Sequence, residues 1–365
     1  MSVAGVRVGA LVPLSRPGWA AAGRQLLAGL ELGVADVNAA GGIGGRPVEL
    51  LVRDTAADPA RAVAAVEELA GLGVSALVGE YHSVVARAVA TRAEALALPY
   101  VCASAVLDGL VDAPARWVAR IAPAQSYCWR VYADFLLGAG HRRVAVAADQ
   151  GAYWAAGTEI LRGHLAAHGG EVVGFDVRDH SPGTLCDALA ASGAGALLLL
   201  VGHPEPAVPL VQAVRRDPRL GGVLLGAPAG QPELPDWLEQ LGPDGAGVPF
   251  LRYLPARFTP HGVRVEAALR ALLDAEPSFV AFEGWDAVTA LAAALRTDGG
   301  GGAPDRSGAP DWSDVEVAGT RGTVRFARVP GSGVWQWAWP PVQVADRDPA
   351  EPERFRVLHA EEGRE

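Results

Sequence analysis

The sequence predicts an α/β protein with parallel sheets, and three observations predict it. Short apolar runs alternate with Ala- and Leu-rich stretches of helical period, the pattern of strands joined by crossover helices. That strand–helix series starts at the N-terminus and begins again near Ser126. At 365 residues the chain is long for one hydrophobic core and comfortable for two.

The first strand covers residues 6–12 and enters a loop, 13–19, that ends in Trp19. A helix follows to about Asn38, with Leu26, Leu27, Leu30, Val34 and Val37 on one face. The glycines of 41–45 stop it, because glycine accepts the left-handed backbone such stops need. Strands are expected at 47–53, 74–78 and 98–103, with Asp58-Pro59 capping the helix after the first of these. In the second series the strands fall at 143–148, 171–177, 196–201 and 222–226. Helices over 262–275 and 282–296 come next, then a Gly/Pro-rich loop over 297–310 and strand-like runs at 322–328 and 334–339. The charged tail after Asp346 is expected to be peripheral.

Half of the residues are hydrophobic and a fifth are charged, as in ordinary globular proteins. A formal net charge of −10 argues against nucleic acid or an anionic membrane as the main partner. No apolar run is long enough to span a bilayer, so membrane insertion is not expected. No basic region followed by an apolar run and a cleavage site opens the chain. As written it reads as cytoplasmic, and as extracytoplasmic if a leader has been removed. Cys102, Cys128 and Cys186 are too few and too far apart for a disulfide framework or a zinc site, and read as buried thiols. His164 and His168 have a metal-compatible spacing but no third ligand, and His is favoured at a helix end anyway. Glu67 and Glu68 read as a solvated helix face. No nucleophile elbow, Walker loop or dinucleotide fingerprint follows any strand. The chain is therefore not expected to be an enzyme, and no cofactor or metal is expected.

Several segments carry a family resemblance by their order and spacing. They are residues 6–14, the run Asn38-Ala39-Ala40-Gly41-Gly42-Ile43-Gly44-Gly45-Arg46-Pro47, and the run Asp54-Thr55-Ala56-Ala57-Asp58-Pro59-Ala60-Arg61. Residues 79–83, Trp285-Asp286-Ala287-Val288 and Gly322-Thr323-Val324-Arg325-Phe326 continue the series. Together they resemble the periplasmic binding protein type I family, in the branch of leucine/isoleucine/valine-binding proteins and amide sensors. The resemblance implies two Rossmann-like lobes joined by three crossovers, with a ligand cleft between them that closes about a hinge. On this reading lobe 1 is 5–123 and 252–328, lobe 2 is 124–251 and 329–345, and 346–365 is a C-terminal tail.

Ser83 follows a strand and opens a helix, where its hydroxyl and the helix-terminal amides suit a carboxylate or carbonyl oxygen. The resemblance makes Ser83 a ligand contact and matches Tyr81 to an aromatic of the amide sensors. It aligns Ser104 and Ala105 with the second ligand-binding loop, where Val106 departs from the family's hydroxyl residue. It places Tyr153 as an aromatic that caps the ligand, with Trp154 as a second candidate. His203 lies on a further cleft loop, and Trp19 is a candidate cleft wall. Each has an ordinary structural alternative: a helix cap for Ser83, an exposed loop ring for Tyr81, a solvated histidine for His203 and core packing for Trp19. Amino-acid receptors of this type place an acid after the strand near Gly226 to grip the ammonium, and residues 226–230 hold none. Either Glu80 or Glu283 substitutes, or the ligand lacks an ammonium. The function implied is binding of a small polar solute, an amino acid, amide or related molecule, as the substrate-binding component of an ABC transporter. The alternative is a cytoplasmic sensor acting on a regulatory protein partner.

Overall fold

The computed structural model describes residues 5–16, 18–297 and 308–361. The chain divides into two compact units, one of Met1–Ala124 and Arg257–Pro341, the other of Gln125–Ala256 and Val342–Glu362. Within the described residues it passes from one unit to the other three times.

The first unit begins with β1 (Val6–Val12), α1 (Ala20–Ala39), β2 (Val48–Asp54), α2 (Pro59–Gly71) and β3 (Ala76–Gly79). Next come α3 (Ser83–Ala95), β4 (Tyr100–Cys102) and β5 (Val118–Arg120). These strands pair in parallel in the order β5-β4-β3-β1-β2, with Val6 opposite Val48 and Val8 opposite Ala76. Parallel neighbours need a crossover, and each helix supplies one. As expected, Asp58 caps α2 by accepting from the Arg61 N–H at 2.8 Å, with Pro59 in the first turn.

The second unit follows with α4 (Gln125–Gly138), β6 (Arg143–Ala148), α5 (Ala152–Ala167), β7 (Glu171–Asp176), α6 (Pro182–Ser192) and β8 (Ala196–Leu200). Then come α7 (Ala207–Arg216), β9 (Leu224–Gly226), α8 (Pro235–Leu241) and β10 (Phe250–Arg252). Its main sheet is parallel, in the order β7-β6-β8-β9. Every residue of β8 is buried, as a central parallel strand covered on both faces requires.

The chain returns to the first unit with α9 (Pro260–Leu273), α10 (Phe279–Thr297), β11 (Glu316–Ala318), β12 (Thr323–Arg328) and β13 (Trp335–Trp337). It ends in the second unit with β14 (Val342–Arg347) and β15 (Phe355–Glu361). Helices α1 and α10 pack backbone to backbone. A Cβ at Gly29 would stand 1.9 Å from the Ala281 carbonyl oxygen, and one at Gly284 would stand 2.6 Å from that of Leu26.

Two sequence expectations need correction. Residues 329–341 belong with the first unit, because β13 lies between β5 and β12 in an eight-stranded sheet. Buried Gln336 holds it there, accepting from Arg120 Nε at 2.6 Å and donating to the Ala122 carbonyl. The tail is built into the second unit: residues 355–361 form β15, a largely exposed edge strand. Strand β14 is buried throughout and is the middle strand of an antiparallel sheet, β10-β14-β15. There Arg347 donates to the carbonyl of Pro232, and Asp346 accepts from Arg356. As expected, the sheets are mostly parallel, with β12 pairing antiparallel to both β11 and β13. Of the loop expected over 297–310, residues 298–307 lie outside the described residues.

All three cysteines are free and buried. Glu67 and Glu68 form the expected solvated face, paired with Arg92 and Arg53. His164 Nε2 lies 2.6 Å from Asp134, and His168 Nδ1 lies 2.8 Å from the carbonyl of His164. No described helix is long and apolar enough to cross a membrane.

Candidate functional site

In the first unit, the loops leaving β4, β3, β1 and β2 emerge side by side at the carboxyl ends of parallel strands. An open α/β sheet forms its natural crevice there. Backbone strain concentrates at the same edge. Of five described non-glycine residues with left-handed φ, Ala97 and Asp274 follow helices, an ordinary place for it. The other three, Ala56 (48°), Ala57 (56°) and Glu80 (67°), lie in the loops after β2 and β3. Strain of this kind persists only where the surroundings fix it.

Those surroundings are polar. Asp54, at the end of β2, accepts from the amides of Leu14 (2.8 Å), Ser15 (3.3 Å) and Ala56 (2.9 Å), and from the Ser15 hydroxyl (2.6 Å). Burial raises the Asp54 pKa, but Ser15, these amides and Arg61 outweigh it and leave the carboxyl below its usual range. Asp54 thereby ties the loop after β1 to the loop after β2. Gly79 makes the next loop possible, with φ at 115° and room for a Cβ only 2.4 Å from the Leu11 oxygen.

Glu80 is fully buried. Its Oε1 accepts from the amides of Tyr81 and His82, each at 2.9 Å, while Oε2 has no hydrogen-bond partner. Its amide donates to Leu11 O at 2.7 Å and its carbonyl accepts from the Ser104 amide at 3.2 Å. One residue thus joins the ends of β1 and β3 to the loop after β4. Burial pushes the Glu80 pKa up to about 7, against the amides of His82 and Tyr81 and the Thr55 hydroxyl; the Asp54 charge adds to the rise.

Trp19, Tyr81 and His82 form a ring cluster, with centroids 5.7 Å apart for Trp19–Tyr81 and 5.3 Å for Tyr81–His82. The Trp19 amide donates to His82 Nε2 at 3.3 Å. Burial lowers the His82 pKa to about 4, which keeps the ring neutral and Nε2 able to accept. Ser83 opens α3, and its Oγ accepts from the Leu107 amide at 3.3 Å. No side chain caps this helix, so its first-turn amides keep the anion preference of a helix start.

Ser104 and Ala105 are buried beside this turn. Ser104 Oγ donates a short hydrogen bond to Glu283 on α10. Burial raises the Glu283 pKa to about 7, against the pull of Arg321 and Ser104. Arg321 reaches Glu283 at 3.3 Å and Asp286 at 2.9 Å, and lies over the Trp337 ring at 4.9 Å. Asp286 also accepts from the Thr320 amide and hydroxyl. From beneath, Arg120 Nη1 donates to Leu107 O at 2.7 Å and fixes the loop after β4. The structure therefore brings Trp19, Glu80, Tyr81, Ser104 and Glu283 into one linked cluster, with Ser83 and Ala105 next to it in the chain. Both candidate acids, Glu80 and Glu283, are enclosed in it.

Tyr153 and His203 belong to the second unit, at the carboxyl ends of the neighbouring strands β6 and β8. The Tyr153 ring packs edge-on against Trp154 (4.8 Å) and Trp129 (5.8 Å), and its carbonyl accepts from Gln125. The His203 side chain is 3% exposed, 3.4 Å from Asp236, with its ring 5.4 Å from that of Trp237. The next acid after the acid-free stretch 226–230, Glu233, is buried and accepts from Arg252 Nε at 2.9 and 3.0 Å.

Sequence reasoning missed His82, Thr55, Arg120, Asp286 and Arg321. His82 stands between two chosen residues, and Asp286 within a quoted segment, so position alone gave a signal for both. Arg120 and Arg321 gave none, because their partners are distant in the chain.

The first unit's site loops stand at the carboxyl ends of parallel strands, where open α/β sheets bind their ligands. The chain belongs to the periplasmic binding protein family, whose model matches residues 5–324. Among solved structures it is similar to the leucine-binding protein LivK from Thermotoga maritima MSB8. The TM-score is 0.82 at 20% identity, over 97% of this chain and 98% of that one. A solute-binding protein of an ABC transporter from R. palustris, in complex with benzoate, gives a TM-score of 0.78 at 20% identity over 98% and 96%. Among curated proteins it is similar to Leu/Ile/Val-binding protein homolog 8 of Brucella abortus, at 34% identity over 137 residues. That match spans 37% of this chain and only 34% of the relative.

Proposed function

We propose that this chain is the solute-binding component of an ABC importer, and that its solute carries a carboxylate but no α-ammonium. The observation that carries this reading is the pairing of an uncapped α3 start, beside Ser83 and Ser104, with acids already committed to protein groups. Amides at a helix start stabilise an anion. A desolvated ammonium without a counter-charge is costly, and Glu80, Glu283 and Glu233 are all buried and bonded within the protein. Trp19 and Tyr81 offer apolar faces to the body of the solute. Solved relatives bound to benzoate and to p-hydroxybenzoic acid support this solute class. Those that bind leucine and isoleucine support the amino-acid alternative. The partner would be a membrane permease, and the place of action extracytoplasmic when the protein is exported.

A thermal-shift screen of benzoate, 4-hydroxybenzoate, leucine, isoleucine and acetamide tests this. A solute at 100 times its Kd adds about 2.7 kcal/mol of stability. Stabilisation by the aromatic acids is expected. Stabilisation by leucine or isoleucine alone would return the ammonium to the ligand, and acetamide as the best ligand would favour an amide sensor.

A further inference from the structure

We infer that Glu80 is a positioning residue whose carboxyl takes up a proton when a carboxylate solute binds at the amino end of α3. The inference rests on the solute class proposed above. It begins with an asymmetry: Oε1 accepts two amide N–H groups at 2.9 Å, and Oε2 accepts none although the side chain is fully buried. Two donors on one oxygen and none on the other suit a carboxylic acid, with a carbonyl oxygen that accepts and a hydroxyl oxygen that carries the proton. A buried carboxylate would leave a charged oxygen unmatched.

Apart from the two amides and the Thr55 hydroxyl, the surroundings give little help to the ionised form. From the end of β2, Asp54 adds a like charge, itself held by Arg61. From β4, Tyr100 and Cys102 face Glu80 as neutral groups whose own ionisation is pushed up by burial. His82 on the α3 side is neutral. Beyond Ser104, the Arg321 cation is shared between Glu283 and Asp286, and beyond Cys102 Arg120 is bonded to Gln336 and Leu107. Burial already places the Glu80 titration at about pH 7. A solute carboxylate at the start of α3, which opens three residues after Glu80, brings a second like charge and lifts the proton affinity further. By reciprocity, ionised Glu80 weakens the solute. Because the Glu80 carboxyl holds the amides of Tyr81 and His82, the proton also decides how firmly that loop is held.

The test is calorimetric titration of the full chain with benzoate and 4-hydroxybenzoate, in phosphate and in Tris, from about pH 6 to pH 9. The expected result is a binding heat that depends on the buffer, revealing proton uptake, with Kd rising toward about tenfold per pH unit above pH 7. In Glu80→Gln, which keeps an oxygen acceptor and cannot ionise, Kd should be level across the same range. In Glu283→Gln the wild-type slope should persist. Binding by the wild type without proton uptake overturns the inference with no variant needed. An unchanged slope in Glu80→Gln, or a slope lost in Glu283→Gln instead, overturns it as well. If neither acid binds, the solute reading fails and this inference falls with it.

Discussion

The backbone N–H of Trp19 donates to Nε2 of His82 across 3.3 Å, so a histidine ring holds one loop of the site against another. This bond needs a neutral imidazole with its proton on Nδ1. His82→Leu removes the acceptor and leaves the Trp19 amide unpaired, at a cost of about 1–3 kcal/mol. The pH dependence has a definite sign. Burial lowers the folded His82 pKa to about 4, below the ordinary 6.5, so its unfolded form binds more protons between those values. Its contribution is present above pH 6.5 and is lost as pH falls toward 4. Urea denaturation of the wild type and His82→Leu across that range should show a wild-type slope that the variant lacks.

Ser104→Ala removes a hydrogen bond to a buried carboxyl. Stability should fall by about 1.5–3 kcal/mol, and solute affinity should fall with it. Glu283 titrates the other way from His82. Its folded pKa is raised from 4.5 to about 7, so its contribution declines as pH rises through that window. Glu283→Gln should flatten that decline, and a variant that kept the full slope would assign the titration to another group.

Gly29→Ala places a methyl group where the Ala281 carbonyl oxygen stands, 1.9 Å away. Helices α1 and α10 would have to separate, at a cost of about 1–3 kcal/mol or more. Because α10 carries Glu283 and Asp286, solute affinity should drop beyond what unfolding explains. Calorimetric melting and titration of the same sample would separate the two effects.

Arg252→Met leaves Glu233 buried without its counter-charge. The expected loss is about 3–5 kcal/mol in denaturant unfolding, most of it restored when Glu233→Gln is added. A small effect in the single variant would mean that Glu233 has other partners strong enough to hold it.

Much of this was legible in the sequence. The parallel strands of both units follow from local hydrophobic runs, and the loops bearing Tyr81, Ser83 and Ser104 follow from where those runs end. What was not legible depends on long-range pairing. Gln336 and Arg120 meet although 216 positions separate them, and no local pattern announces that β13 enters the first unit's sheet. The same holds for Glu233. Its partner Arg252 comes 19 residues later, outside any local pattern. The charged tail misled for a related reason. Arg347 is buried because it satisfies carbonyls of Pro232 and Glu233, partners that composition does not reveal.

The run Trp335–Trp337 and Val342–Arg347 supplies one strand to each unit within about a dozen residues. Without β13, β5 would present an unpaired edge, and without β14, β10 would have no partner in its sheet. Neither of these two sheets can therefore be completed on the ribosome until β13 and β14 have been synthesised. A premature stop ahead of Trp335 would therefore leave β5 and β10 without these partners at the same time.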